Sequence, residues 1–205
     1  MRATLEALLR VEYPADRRQI VVISDAYSDG TDDIVRAFAD RGVELLRLEQ
    51  RRGKSAAENA AGTVARGEII VNTDATIRIL PEALKELVRA FADPTVGVAS
   101  GRDVSVESIT ESVDSHATGE SGYVGYEMNI RELETRVYSI VGASGCFYGI
   151  RSSLYNSAFP ESLSRDFASA LMAVEHGYRA ESVNGAVCLV PQPKSLQSEF
   201  RRKIR

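Results

Sequence analysis

The sequence predicts an α/β domain in which a mixed, mostly parallel sheet is flanked by helices. In the first hundred residues, four short apolar runs alternate with segments whose apolar residues recur at helical spacing. The 205 residues are 44% hydrophobic and 26% charged, which is typical of a globular chain with a sizeable core. Because no repeat or low-complexity linker divides the chain, we expect a single domain over residues 1–205.

Each element follows from a local pattern. Continuous apolar runs such as IVVIS predict buried strands, and Leu84, Leu87 and Phe91 recur as the inner face of a helix that Pro81 introduces. The polar stretch Val104–Gly122 has no period and predicts a loop. The predicted helices are Met1–Val11, Thr31–Asp40, Lys54–Ala65, Glu82–Phe91, about Gly125–Val137, about Arg165–His176 and 195–205; the predicted strands are Ile20–Ser24, Val43–Leu48, Glu68–Asn72, Val96–Ser100 and Ala180–Val190.

Composition excludes several classes of protein. Lysine and arginine total 25 against 29 aspartates and glutamates, so the net charge of -4 argues against a nucleic acid partner. Cys146 and Cys188 are not in a CxxC pair, which argues against structural zinc. Residues 1–11 are charged throughout, unlike a signal peptide, and no run approaches the ~18 apolar residues of a membrane span. We therefore expect a cytoplasmic protein.

Polar residues that end apolar runs are the first candidates for a site, because ligands of open α/β sheets bind at the carboxyl ends of strands. Asp25 follows IVVIS, and Asp74 follows IIVNT. Either aspartate alone is equally well explained as a turn residue or helix cap. The loop RRGKS before the third predicted helix lacks the first glycine of a P-loop, since Leu48 stands there. It remains a candidate anion site through backbone N–H groups and Lys54, or a solvated cluster of charges.

Asp166 opens a predicted helix, where its carboxylate complements the helix dipole. Capping alone would explain an aspartate at this position. The residues themselves leave both interpretations open.

Taken in order, these segments resemble the family 2 glycosyltransferases, inverting nucleotide-sugar enzymes with the GT-A fold. The resemblance is carried by VVISDAYSDGTDDIV, RRGKSAAENAAGTVARGEIIVNTDAT, GASGCFYGIRSSLY and SRDFASALMAVEHGYR, and covers nearly the whole chain. It implies transfer of a sugar from a nucleotide-diphosphate donor, with UDP expected, to a glycan or lipid acceptor.

The resemblance also implies roles for individual residues. Asp166 matches the general base on the acceptor hydroxyl. A divalent metal, manganese or magnesium, would be bound through a DxD-like motif. The implied donor-binding residues are Asp25, Asp29, Lys54, Asn59 and Asp74; the implied acceptor-side residues are Gly142, Ser144 and Gly145; the implied metal ligands are Asp74 and Thr76.

The chain departs from the family pattern at several points. Thr76 replaces the second acid of the DxD motif, and Arg165 replaces the acid before the base, which implies a weaker metal site and an altered acceptor-site charge. The family also has a central strand ahead of the one matching IVVIS, so we expect either a gap in the sheet or closure of its neighbours. Relatives continue into membrane spans, and the basic residues 195–205 predict a peripheral contact with the inner face of a membrane.

Two alternatives stay open. One is a non-catalytic remnant that binds nucleotide or a partner without turnover, which these departures favour. The other is a nucleotidyltransferase with a related sheet, although its glycine-rich start is absent.

Overall fold

The structure, a computed structural model, describes residues 1–106, 122–155 and 159–191. Its helices are α1 (Arg2–Leu9), α2 (Thr31–Arg36), α3 (Lys54–Val64), α4 (Ala83–Arg89), α5 (Gly122–Val137) and α6 (Arg165–Glu175). Its strands are β1 (Ile20–Ser24), β2 (Val43–Arg47), β3 (Ile69–Thr73), β4 (Arg78–Ile79), β5 (Val96–Val106), β6 (Phe147–Arg151) and β7 (Arg179–Pro191). Short 3-10 helices lie at Ala15–Arg17, Ala39–Arg41, Ala90–Ala92 and Ser152–Leu154.

The strands form two sheets. A five-stranded sheet has the order β3-β6-β5-β7-β4, and β1 and β2 pair in parallel as a separate ribbon. In the larger sheet, β5 and β7 are parallel, while β6 is antiparallel to both β3 and β5. Strands β3, β5 and β7 therefore run in one direction, and β6 and β4 run in the other. The predicted mixed α/β architecture with flanking helices is confirmed.

The interior of the larger sheet explains why β6 forms. Phe147, Tyr148 and Ile150 are fully buried, and they pack into the two clusters that lie on opposite faces of this sheet. Leu87 of α4 and Ala170 of α6 cover those two faces. Burial of side chains this size contributes on the order of 2 kcal/mol each, so the central strands are the stable part of the fold.

Three sequence predictions are corrected by these elements. The predicted loop from Val104 is wrong at its start, because β5 continues to Val106 and pairs with β7 through Leu189–Pro191. Strands β4 and β6 were not predicted. The predicted helix Thr31–Asp40 ends at Arg36 and resumes as the 3-10 turn Ala39–Arg41. Residues 107–121 and the predicted helix 195–205 lie outside the described residues.

Of the two expected arrangements, a gap in the sheet or closure of the neighbouring strands, the structure shows the gap. Within the described ranges, no backbone hydrogen bond joins β1 to β3, so the two sheets remain separate at this point. The same part of the chain contains no helix whose length and apolarity would suffice to cross a bilayer.

Candidate functional site

The carboxyl ends of β1 and β3 meet at the start of α3. The Asp25 carboxylate, only 7% exposed, accepts hydrogen bonds from the backbone N–H groups of Arg52 at 2.7 Å and Gly53 at 2.8 Å. Gly53 has a φ of 93°, a conformation that glycine adopts without strain. Asp25 therefore fixes the basic loop that delivers Lys54 to the site.

Lys54 connects two of the predicted segments. Its Nζ donates to Asp74 Oδ1 and to the carbonyl oxygen of Gly145, both at 2.9 Å. Burial disfavours the charged amine, but the carboxylates of Asp74, Glu58 and Asp166 raise its pKa overall. The side chain is thus a fixed cation at the meeting point of β3, α3 and the glycine loop before β6, where it could neutralise a bound diphosphate.

The Asp166 carboxylate lies directly against Gly145. A Cβ added at Gly145 would lie 2.5 Å from Asp166 Oδ2, so only glycine permits this approach. Asp166 Oδ1 accepts from the N–H of Phe167 at 2.9 Å and from the Ser164 hydroxyl, which orients the carboxylate at the start of α6. Asp74, Lys54, Gly145 and Asp166 therefore lie close together.

Ser144 supports the glycine loop from inside. It is fully buried, and its Oγ donates to the Asp103 carboxylate, with distances of 2.7 and 2.9 Å to the two oxygens. Its Oγ also accepts from the N–H groups of Cys146 and Phe147, while its own N–H donates to Ser100 Oγ. The structure thus gives Ser144 a supporting contact beneath the loop.

The other predicted residues have mainly local contacts. Asp29 Oδ1 accepts a hydrogen bond of 3.0 Å from the N–H of Thr31, the first residue of α2. This hydrogen bond lowers the pKa of Asp29. Gly142 packs beside the Phe167 ring, where a Cβ would lie 3.0 Å from the ring. Thr76 is exposed beyond the end of β3.

Asn59 and Arg165 join α3 to α6. The Asn59 amide donates to the Phe159 carbonyl at 2.8 Å, and its oxygen accepts from the Arg165 guanidinium. Arg165 is 2% exposed and lies 4.4 Å from the ring centre of Tyr155 and 4.6 Å from that of Phe159. The structure therefore gives Arg165, predicted to alter the charge of the acceptor site, a buried packing position.

Glu58 is a group that sequence reasoning missed. Its carboxylate lies 3.7 Å from Arg165 Nε, and burial raises its pKa, although Lys54 and Arg165 oppose that shift. The available signal was its position four residues after Lys54, which places both on one side of α3. Glu58 therefore adds a carboxyl group beneath the site.

Replacing Arg165 with methionine should lower the free energy of unfolding by about 3 kcal/mol, because Glu58 would lose its buried partner. Denaturant unfolding measures this change. The matched control is Arg136→Met, which removes an exposed pair with Glu132 and should cost less than about 1 kcal/mol. Equal losses in the two variants would contradict the structural role of Arg165.

The chain offers few metal ligands at the site. Among residues 1–106, 122–155 and 159–191, no group of three histidine, cysteine, aspartate or glutamate side chains could hold an ion. Asp74 and Thr76 provide one carboxylate and one hydroxyl, and Lys54 already contacts that carboxylate. A divalent ion at these two residues would have to take its remaining ligands from diphosphate oxygens and water.

Comparison with known sequences identifies the family. The family model described as "Glycosyl transferase family 2" matches residues 1–159. The "Probable glycosyltransferase YdaM" of Bacillus subtilis (strain 168) is 33% identical over 215 residues, covering 100% of this chain and 50% of the relative. An "N-acetylglucosaminyltransferase" of Rhizobium sp. (strain N33) is 23% identical over 227 residues, which cover 100% of this chain and 48% of the relative. The chain spans about half the length of these curated relatives.

Solved structures agree on the fold. The "Mannosyltransferase PcManGT from Pyrobaculum calidifontis in complex with GDP-Man and Mn2+" has a TM-score of 0.78 and 27% identity, with coverage of 97% of this chain and 55% of that one. The structure of S. aureus TarS residues 1–349 in complex with UDP-GlcNAc has a TM-score of 0.67 at 19% identity, and the match covers 95% of this chain and 55% of that one. At this identity the match supports the fold alone. Because the family model spans more than half of its residues, the chain belongs to glycosyl transferase family 2, and its fold is GT-A.

Proposed function

We propose that this domain transfers a sugar from a nucleotide-diphosphate donor to a hydroxyl group of a glycan or lipid, with inversion at the anomeric carbon. The observation that carries the proposal is the position of Lys54, which contacts Asp74 and the Gly145 carbonyl at 2.9 Å beside the Asp166 carboxylate. A fixed cation next to a carboxylate suits a reaction in which one group stabilises the leaving diphosphate and another removes a proton.

In the proposed reaction, the oxygen of the acceptor hydroxyl attacks the anomeric carbon. Asp166 accepts the proton that this hydroxyl loses. The bond from that carbon to the diphosphate oxygen breaks, and the leaving group departs with the bonding electrons. Lys54 stabilises the negative charge that develops on the diphosphate. Asp25 holds the loop that carries Lys54 by accepting hydrogen bonds from the N–H groups of Arg52 and Gly53.

Asp74 and Thr76 would hold the divalent ion that this family commonly uses. When bound, manganese or magnesium supplies a further positive charge for the diphosphate. The manganese complex of the mannosyltransferase at 27% identity supports this part of the proposal.

The donor is proposed as a class. The mannosyltransferase is a complex with GDP-Man, and the Rhizobium relative is named an N-acetylglucosaminyltransferase. We propose a UDP-sugar as the first choice and a GDP-sugar as the second. A peripheral membrane contact through residues 195–205 is proposed from Arg201, Arg202, Lys203 and Arg205.

A second candidate is a nucleotide-binding domain without turnover. The observation that favours it is the gap between β1 and β3, which opens beside Asp74 and Lys54. An open edge next to the site would admit water and loosen the geometry that transfer requires.

An assay of donor cleavage tests the proposal. The chain is incubated with UDP-GlcNAc or GDP-mannose, with and without manganese, and release of UDP or GDP is followed over time. We expect release that depends on manganese, with water as the default acceptor. A folded sample that binds nucleotide but releases none from either donor would contradict transfer and support the second candidate.

A further inference from the structure

Tyr27 is an exposed aromatic residue beside the candidate donor site. Among the residues that the structure describes, the other exposed large apolar side chains lie on α5, on α6 or in the loops beside these helices. Tyr27 is 43% exposed and follows Asp25 by two residues, just past the carboxyl end of β1. Ligands of α/β sheets gather at these strand ends. The ring is therefore placed where a ligand could contact it.

The backbone just before Tyr27 is strained. Ala26 has a φ of 56°, and it is the only described residue other than glycine with a positive φ. A residue with a Cβ adopts this left-handed conformation at an energetic cost. Such strain persists where neighbouring contacts hold it, and it is concentrated at ligand-binding sites. The turn at Ala26 leaves Asp25 buried and Tyr27 on the surface.

Two arginines hold Tyr27 in this position. Arg47, the last residue of β2, donates from Nη1 to the carbonyl oxygen of Tyr27 at 2.9 Å and also forms an ion pair with Asp32 of α2. The guanidinium of Arg51 lies over the Tyr27 ring, 4.7 Å from the ring centre, where the negative face of the ring attracts it. The ring is therefore fixed to the basic loop before α3.

The same loop carries Lys54, the cation of the candidate site. Arg51 precedes Lys54 by three residues, and three residues of chain span at most about 11 Å. In a nucleotide, one ribose separates the diphosphate from the base. A diphosphate held by Lys54 therefore leaves its base within reach of the Tyr27 ring.

The Asp25 carboxylate, in contrast, is already engaged by the loop. Its Oδ1 accepts from the N–H of Arg52, its Oδ2 accepts from the N–H of Gly53, and the residue is only 7% exposed. Stacking on a base requires an exposed aromatic face rather than a free hydrogen-bond partner. Tyr27 provides such a face next to a carboxylate whose two oxygens both have partners.

We propose that the Tyr27 ring, held by Arg51, is the stacking platform for the base of the nucleotide-diphosphate donor. This inference rests on the proposed function and adds to it the residue on which the base lies. Arg51 contacts one face of the ring, and the base stacks on the exposed face. Because every base has a π face, the platform accepts uracil as well as guanine. Tyr27 therefore contributes to the binding of UDP and of GDP alike.

Nucleotide titration of the Tyr27→Ala variant tests the platform. Loss of one base–aromatic stack should weaken the binding of UDP and of GDP about five- to hundredfold, measured by calorimetry in the presence of manganese. Tyr27→Phe keeps the ring and should bind like the wild type. The matched control is Tyr126→Ala, which removes a tyrosine that is 65% exposed on α5, outside the candidate site. This control should also bind like the wild type.

A tryptophan at the platform provides a direct readout. The sequence contains no tryptophan, so Tyr27→Trp places a single indole beside the base. UDP and GDP should quench its fluorescence at the concentrations at which calorimetry detects binding, whereas Tyr126→Trp should show no change. Nucleotide binding with unchanged affinity in Tyr27→Ala and no quenching in Tyr27→Trp would overturn the platform and leave the donor site intact. Absence of nucleotide binding by the folded wild type would overturn the proposed function, and the platform with it.

Discussion

The Asp166→Asn variant should lose sugar transfer by about two to four orders of magnitude, the usual contribution of a general base. The asparagine amide is nearly the same size as the carboxylate, and its oxygen can still accept the hydrogen bond from the N–H of Phe167. It cannot accept the proton of an acceptor hydroxyl. Nucleotide binding should stay close to wild type, because Lys54 and Asp74 are unchanged. Initial rates and nucleotide titration measure the two quantities separately.

Asp40→Asn is the matched control for this variant. Asp40 is an exposed aspartate in the 3-10 turn Ala39–Arg41, outside the candidate site, and its replacement should leave transfer unchanged. An Asp166→Asn protein with wild-type turnover would remove this carboxylate from the mechanism. Loss of nucleotide binding together with turnover would instead indicate that Asp166 supports the donor site.

The Gly145→Ala variant should lower transfer by about a hundredfold, because a misplacement of about 1 Å can have that effect on a reacting group. The new Cβ would lie 2.5 Å from Asp166 Oδ2, so the carboxylate must rotate away. The displaced group is the end of a side chain, and the loss of unfolding free energy should therefore be small. Measurement of turnover and thermal stability on the same sample separates these effects.

Gly185→Ala controls for the substitution itself. A Cβ at Gly185 would lie 3.2 Å from the Glu86 side chain, which is also flexible and carries a carboxylate. Gly185 lies in β7, outside the candidate site. Its turnover should be that of the wild type. A Gly145→Ala enzyme that keeps full activity would show that the Asp166 carboxylate does not need its observed position.

The predictability of the strands depended on their composition. IVVIS and IIVNT each begin with a continuous apolar run, so the two strands were predicted from sequence, and β1 was predicted with its observed bounds. β6 was missed because FYGIR contains a glycine and follows a glycine-rich segment. A Cβ at Gly149 would lie 3.2 Å from the Phe91 ring, so this glycine packs tightly against a distant part of the chain. β4 has only two residues and exists through its pairing with β7.

Within the candidate site, too, residues marked by a local pattern were predicted, whereas contacts between distant residues were not. Asp25 and Asp74 were found because each ends an apolar run, which is a local signal. Ser144 contacts Asp103, which lies 41 positions away in the sequence, and Arg165 contacts Asn59, which lies 106 positions away. No local sequence pattern reveals contacts between residues so far apart. The resemblance to a family predicted the candidate residues, whereas the structure gives the contacts between them.

Calorimetric titration of the purified chain with UDP and with GDP, in the presence and absence of manganese, tests the central claim most directly. The account predicts binding of at least one nucleotide that manganese strengthens, and loss of that binding in Asp74→Ala but not in Asp40→Ala. Each protein must first show a cooperative unfolding transition. Absence of binding by either nucleotide to the folded chain, or equal binding by the wild type and Asp74→Ala, would contradict a nucleotide-diphosphate site at the carboxyl ends of β1 and β3.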